Sequence, residues 1–471
     1  MKPTKIEWLI AFALFLFLFA SWNFGDTAGI VGYEIDFADS IVHGEFSNFY
    51  QRAYDRAVYA KEHDIERERL IPYYDLPVNF VLGIWGLPLY FLGGTDYASS
   101  FWKILYGKSF FLLMFIVSAF LVRRICREIG LDENKSQWAA FIFFTSSMAW
   151  NAVCLVGNLD AICTALTLAG VLAYLRNRNC ECFVWFMLAF PFKQLAMFIY
   201  LPLLLLRDKN IFRDALKVIC IALITTISSL PVMNCPGAAL AKAKFLGVMI
   251  LRLCQNTLPM MSGAVSIFMI IYGLFCYFCW LRKENEDTHS RNAAIIFTAM
   301  AAIAITLGSI TSHPQWYLYL APYLAISAML YAASTERFMF FETIGSLALL
   351  GYNFAYFYWV YVPKNAKGML LDILAGGQES LYTNHNVLSN VASEVHNPDK
   401  MKYMRMFFET VQSSAGGVYI ACMIIILVLL CRKQNLNSDR QLSIRPFALS
   451  RLFLNAAACY LPLAVFAYTS L

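Results

Sequence analysis

Charge is what this sequence has least of. Across 471 residues only 14% are Asp, Glu, Lys or Arg, against 59% that are hydrophobic. That shortage excludes a water-soluble globular fold, whose exterior has to be covered with charge. A cleavable signal is missing too. The first apolar run follows Lys2 and Lys5, but Trp22-Asn23-Phe24 offers no small-residue cleavage site, so a retained anchor is expected. No soluble domain and no clear internal repeat stand out. Nor does any ligand cluster: Cys276 and Cys279 form a lone CxxC inside an apolar run, a poor metal site without a second pair. Most of the 13 cysteines lie in apolar runs and read as small hydrophobes. Cys235 and Cys254 share one outer loop and could pair, but free thiols are the expected state.

What is present arrives in blocks. Lipid offers backbone groups no hydrogen-bond partner, so each apolar block of about 17–25 residues is read as a spanning helix. Residues 8–22, 110–122, 295–310 and 418–430 are examples. The net charge of +6 invites a nucleic-acid reading, but the cations gather in short hinges: Arg123, Arg124, Arg127; Arg176, Arg178; Arg207, Lys209, Arg213, Lys217; Arg282, Lys283; Arg432 to Arg451. That is a topology signal, and it places these hinges and the N-terminus in the cytoplasm. The expected fold is all-α, a polytopic transmembrane helix bundle of about 11–13 segments.

The bundle divides into residues 1–333 and 334–471, with outer loops at 24–100, 234–261 and 358–413. The first loop carries twelve Asp or Glu. Its apolar stretch 77–94, punctuated by Pro77, Gly83, Gly86 and Pro88, reads as helices lying at or dipping into the interface. The third carries Asp372, His385 and His396 with Lys400, Lys402 and Arg405. Residues 182–206 pose a puzzle, because basic clusters flank both ends of one run. The break at Pro191-Phe192-Lys193 resolves it as two half-helices that enter and leave on one side.

The residues able to do chemistry sit mostly at the outer ends of the spans. Asp26 and Asp36 follow the first span, where an acid can take a proton from an incoming hydroxyl while a lipid-bound donor stays embedded. Asp75 either caps the stretch after it or joins a site. Asn158 and Asp160, in Gly157-Asn158-Leu159-Asp160, face the same compartment and carry the same two readings. Lys193, next to Gln194, puts a cation deep in an apolar run, where a lipid phosphate is its natural partner. His313, in Ser312-His313-Pro314-Gln315, either meets substrate or belongs to an aromatic belt.

Taken in this order, the motifs resemble the C-type (GT-C) superfamily of polytopic membrane glycosyltransferases, which use polyprenyl- or dolichyl-phosphate sugars. Phe24-Gly25-Asp26 is similar to the Tyr-Gly-Asp of the dolichyl-phosphate-glucose glucosyltransferases. Tyr74-Asp75-Leu76-Pro77 is similar to their Asp-Tyr-Pro-Pro, and Phe192-Lys193-Gln194-Leu195-Ala196 to their Phe-Lys-Gln-Met-Ala. Gly157-Asn158-Leu159-Asp160 resembles a bacterial Gly-Gln/Asn-x-Asp, and Asp36 before His43-Gly44 a spacing of some polyprenyl-phosphate mannosyltransferases. The sequence departs from the pattern at Ala28, where the family has Glu, and at Val78, where it has Pro.

The resemblance implies an inverting hexosyltransferase that moves a sugar from a polyprenyl phosphate to a glycan, lipid or protein acceptor on the outer membrane face. Asp26, then Asp36, would be the base. Asp75, Asn158, Asp160, Lys193, Gln194 and His313 would bind substrate. It implies no cofactor and no metal; a cation, if one took part, would sit among Asp26, Asp36 and Asp160. Partners would be the lipid-linked donor, the acceptor and membrane lipids, with no nucleic acid, in a bacterial plasma membrane. A transporter or flippase of lipid-linked substrates is the alternative; it calls for paired repeats, which are missing. A membrane acyltransferase calls for His beside an acid, and only His313 is available.

Overall fold

The computed structural model describes residues 2–22, 26–63, 74–93, 101–260, 263–283, 287–310, 312–330, 335–357, 398–431 and 444–470. Helix α1 (Lys5–Ser21) starts at a reciprocal cap: the Thr4 hydroxyl accepts from the Glu7 N–H, and the Glu7 carboxylate accepts from the Thr4 N–H at 2.6 Å. Then come α2 (Thr27–His43), α3 (Phe46–Glu62) and α4 (Leu76–Gly93). Helix α4 corrects the sequence reading of 77–94. It is one helix of 18 residues, long and apolar enough to cross a membrane. Pro88 costs it a backbone bond without ending it. Its glycines are contacts rather than breaks, since a Cβ on Gly86 would collide with the Glu34 carbonyl and one on Gly83 with Phe37 and Ile41.

Helix α5 (Phe101–Glu128) leads to α6 (Glu133–Phe144), which bends by 45° into α7 (Ser147–Trp150) and a π-helical turn at Asn151–Val156. Helix α8 (Asp160–Leu175) follows. The half-helices are α9 (Asn179–Ala189) and α10 (Leu195–Arg207), joined by a turn at 190–194. Arg207, at the end of α10, donates to the Asn179 side chain at the start of α9 and to the Tyr174 carbonyl near the end of α8. The pair therefore enters and leaves at one end of the bundle.

Next are α11 (Ile211–Ser228), α12 (Pro236–Leu253), a hairpin of β1 (Thr257–Met260) and β2 (Gly263–Ser266), and α13 (Ile267–Leu281). Residues 234–261 are thus mainly helix and hairpin, not an open loop. Cys235 and Cys254 are both free thiols, and the Cys235 sulfur instead lies 3.7 Å from the Ser47 carbonyl. Helix α14 (Thr288–Ser309), a 3-10 turn at Pro314–Tyr319, α15 (Ala321–Leu330), α16 (Thr335–Tyr356), α17 (Pro398–Cys431) and α18 (Ile444–Ser470) complete the order. Residues 398–413 extend α17 rather than forming loop. Asp372, His385 and His396 lie outside the described residues, as do the side chains of Lys400, Lys402 and Arg405.

Among the described residues seven helices are long and apolar enough to span a membrane, and the bent α6–α7 pair makes an eighth. Helices α8, α9, α10 and α13 are shorter and apolar. The protein is an integral membrane protein built as an all-α polytopic bundle. Inside it, Arg451 of α18 holds Glu342 of α16 with two nitrogens at 2.6 and 2.7 Å and the Ile142 carbonyl at 2.9 Å, which ties the C-terminal helices to α6.

The two ends of the bundle differ. At one, Arg176 pairs with Glu128, Arg123 and Arg127 with Glu133, Lys217 with Asp208, and Lys209 donates to the Cys279 carbonyl at 2.8 Å. At the other lie the end of α1, the π-helical turn, the start of α8 and the 190–194 turn. That second end holds the site.

Candidate active site at the anion-rich end

Two chain segments carry the centre, and one buried lysine fixes both. Lys108 of α5 is fully buried and donates to the carbonyls of Phe19 and Trp22 at 2.6 Å each and of Cys154 at 3.5 Å. The first two belong to the end of α1, which leads to Asp26. The third belongs to the π-helical turn, which leads to Asn158 and Asp160. The segments are also joined directly. Trp22 Nε1 donates to the Leu155 carbonyl at 2.9 Å, and the Asp26 N–H to the Val156 carbonyl at 2.9 Å. Gly157 makes that approach possible. Its φ is +64°, and a Cβ there would run into the Thr27 hydroxyl.

Asp26 is the N-cap of α2, but its carboxylate makes no capping bond. It accepts instead from Asn158 Nδ2 at 2.5 Å. Asn158 Oδ1 in turn accepts from the Tyr74 hydroxyl at 3.2 Å and from the Leu159 N–H at 2.6 Å. The amide is thereby locked with its NH2 toward Asp26. Asn158 is buried while Asp26 is exposed, so the carboxylate sits at the mouth of the site. The protein mass around Asp26 pushes its pKa up, against the Lys193 ammonium and the Asn158 hydrogen bond, which pull it down.

Asp160 opens α8, where the helix dipole favours a negative charge. Its side chain is 1% exposed, and neither carboxylate oxygen accepts a hydrogen bond by strict geometry, although the Tyr319 hydroxyl lies close. The N-cap reading of Asn158 and Asp160 therefore gives way: no side chain caps α8. The facing cation is Lys193 of the 190–194 turn, with Nζ 3.8 Å from Asp160 Oδ2 and 5.7 Å from the centre of the Tyr74 ring. Gln194 is buried beside it.

His313 lies just before the 3-10 turn, stacked on Phe357 with 5.3 Å between ring centres and in contact with the Arg252 guanidinium. Burial, then Arg252 and Lys193, push its pKa down to about 3. The imidazole is thereby held neutral, and the fixed cation beside it is Arg252, which also covers the Trp316 ring at 4.9 Å.

The structure thus brings Asp26, Asn158, Asp160, Lys193 and Gln194 to one end of the bundle, with His313 within electrostatic reach. It does not bring Asp36 or Asp75. Asp36 lies further along α2, about 15 Å from Asp26 at 1.5 Å per residue, and is paired with Arg56 at 2.9 Å. Asp75 turns away from the cluster toward Lys242, 3.6 Å from its Oδ2. Sequence reasoning gave no role to Tyr74, which it met only as part of a motif, and missed Lys108, Arg252 and Lys242. Lys108 had a signal, a cation at the edge of the apolar run that forms α5, of the same kind as Lys193.

Among the described residues no three His, Cys, Asp or Glu side chains gather to hold a metal ion. No family model matches the chain, and no curated protein matches it. Among solved structures the chain is similar to the crystal structure of ArnT from Cupriavidus metallidurans bound to undecaprenyl phosphate. The identity is 15% and the TM-score 0.47, over 99% of this chain and 78% of that one.

Proposed function

We propose that the chain is a C-type glycosyltransferase that moves a sugar from a polyprenyl phosphate to an acceptor hydroxyl with inversion at the anomeric carbon. The observation that carries this is one pairing of groups. An exposed carboxylate, Asp26, is oriented by a locked amide at the mouth of a site whose floor holds the Lys193 ammonium. The motif resemblance centres on the same residues, Asp26, Asn158, Asp160 and Lys193. The site also lies opposite the cationic hinges, which the charge bias puts in the cytoplasm, so we assign it to the outer face.

In this reading the deprotonated Asp26 takes the proton of the acceptor hydroxyl. The oxygen attacks the anomeric carbon from the face opposite the phosphate, the carbon–phosphate oxygen bond breaks, and the polyprenyl phosphate leaves with the electron pair. Lys193 and Arg252 offset the charge that gathers on the leaving phosphate, in a setting of low dielectric where fixed cations act strongly. Asp160 holds the ammonium in place, and neutral His313 offers a ring nitrogen to phosphate or sugar. We assign no metal to this chemistry, and Asp36 lies too far along α2 to share a site with Asp26.

The test is a panel of radiolabelled polyprenyl-phosphate sugars offered to the full chain in lipid nanodiscs with a membrane extract as acceptor. Label moving into acceptor from one donor, with inverted anomeric configuration in the product, supports the reading. A chain that moves label from none of them lacks this activity, and the transporter reading, to which the half-helices α9 and α10 also conform, takes its place.

A further inference from the structure

On the far side of Tyr74 from the catalytic cluster lies a second polar site that the proposed chemistry does not use. The Tyr74–Asp75 backbone is clamped there: the Tyr50 hydroxyl donates to the Tyr74 carbonyl at 3.1 Å, and Asn79 Nδ2 to the same carbonyl at 2.9 Å and to the Tyr50 oxygen at 2.8 Å. The clamp turns consecutive side chains to opposite sides. Tyr74 faces Asn158, and Asp75 faces a cavity of about 120 Å³ between the start of α4, the end of α11 and α12. Tyr50, Ser229 and Lys242 share its wall with the apolar side chains of Val232 and Met233.

The charges in this cavity are underused. The Asp75 side chain is 4% exposed and Lys242 14%, and they approach to only 3.6 Å. Neither Asp75 Oδ2 nor Lys242 Nζ has a hydrogen bond of good geometry, although the Ser229 hydroxyl lies close to the carboxylate. A carboxylate with lone pairs to fill and an ammonium with protons to give cost free energy when buried. A ligand that accepts from one and donates to the other removes that cost. An anion would be repelled by Asp75 and a cation by Lys242. A hydroxyl does both jobs, and a ring bearing several hydroxyls on an otherwise apolar face suits the Val232 and Met233 wall.

We infer that the Asp75–Lys242 cavity is a subsite for a neutral carbohydrate ring of the acceptor, its hydroxyls bridging the carboxylate and the ammonium. The assignment of that ring to the acceptor rests on the glycosyl-transfer reading; the binding of a ring does not. Tyr74 links the two sites, since its backbone belongs to the clamp and its hydroxyl holds the amide that orients Asp26.

The experiment measures binding without turnover, so that its failure is distinct from a failure of transfer. The full chain in nanodiscs, free of sugar detergents, is titrated with methyl glucoside, mannoside, galactoside and xyloside and followed by saturation-transfer difference NMR. A signal from at least one glycoside is expected. It should weaken about tenfold in Asp75→Asn and in Lys242→Gln and persist in Asp26→Asn. Ala239→Phe, at an exposed position on the cavity rim, should abolish it with the ion pair intact, which guards against loss of signal through misfolding. No signal from any glycoside, or equal signals in wild type and all three cavity variants, overturns the inference. A decyl glycoside that displaces the methyl glycoside far more strongly points to a lipid-linked acceptor, and equal displacement to a soluble or protein-borne one; both outcomes support a carbohydrate ring in the cavity.

Discussion

The pH dependence of the reaction is set at single residues. Asp26 must be ionised to accept a proton, and the protein around it raises its pKa. The transfer rate should therefore fall on acidification through a limb that lies above the ordinary Asp range. Lys193 opposes that rise, so Lys193→Met should move the limb further up in pH as well as slow the reaction. The slowing is expected to be about 100-fold, in line with the loss of one fixed charge from a transition-state site. His313, held neutral with its pKa near 3, has no proton to exchange between pH 5 and pH 8. His313→Gln should accordingly leave the limb where it is. Rates measured from pH 4.5 to 8.5 for the three proteins check all of this, and a limb that vanished with His313 would contradict the assignment of Asp26 as base.

At this scale the sequence was informative where a residue type is expensive. An ammonium in an apolar run has to be explained, which singled out Lys193. It was silent where geometry decides. Nothing in the order of residues shows that Asp36 is turned to Arg56, that Asp75 is turned to Lys242, or that burial beside Arg252 strips His313 of its charge.

Among the elements, α2 and α4 show how a sequence signal misleads. Pro77, Gly83, Gly86 and Pro88 read as chain breaks, yet they lie in a continuous helix. Two helices can approach closely only where one of them lacks side chains, and Gly86 meets the Glu34 carbonyl directly. Gly86→Val should force α2 and α4 apart and destabilise the protein by about 1–3 kcal/mol, the usual cost of overpacking. Thermal unfolding in nanodiscs checks it, and a midpoint equal to wild type would show that the two helices do not need this contact. The half-helices were more legible. Cations at both ends of one apolar run conflict with a single crossing, so charge alone called for a turn near Lys193. The bend between α6 and α7 left no such trace, because it falls at Thr145-Ser146, where neither Pro nor Gly marks the break.

Across the whole molecule, the helices pack through one continuous apolar core, and buried polar contacts add specific links between them where lipid competes for apolar contact. The Arg451–Glu342 pair connects helices more than 100 residues apart in sequence and reaches α6. Breaking one partner leaves a buried charge without its mate, whereas removing both leaves none. Glu342→Gln is expected to cost about 3–5 kcal/mol and the double change Glu342→Leu with Arg451→Met clearly less. Unfolding midpoints of the two variants check this, and a double variant as unstable as Glu342→Gln would contradict it. The all-α bundle was legible from composition and blocks because a helix must satisfy its backbone internally in lipid. The third loop, at 358–413, was not, and its last residues prove to belong to α17.

The account stands on Asp26 as the group that takes the acceptor proton. The most direct measurement is single-turnover transfer by wild type and by Asp26→Asn, both shown to be folded and inserted in nanodiscs, from the donor that the wild type uses. The account predicts a fall in rate of about 100- to 10,000-fold, the usual share of a general base, with donor binding unchanged. Equal rates in the two proteins would contradict it and remove Asp26 from the chemistry.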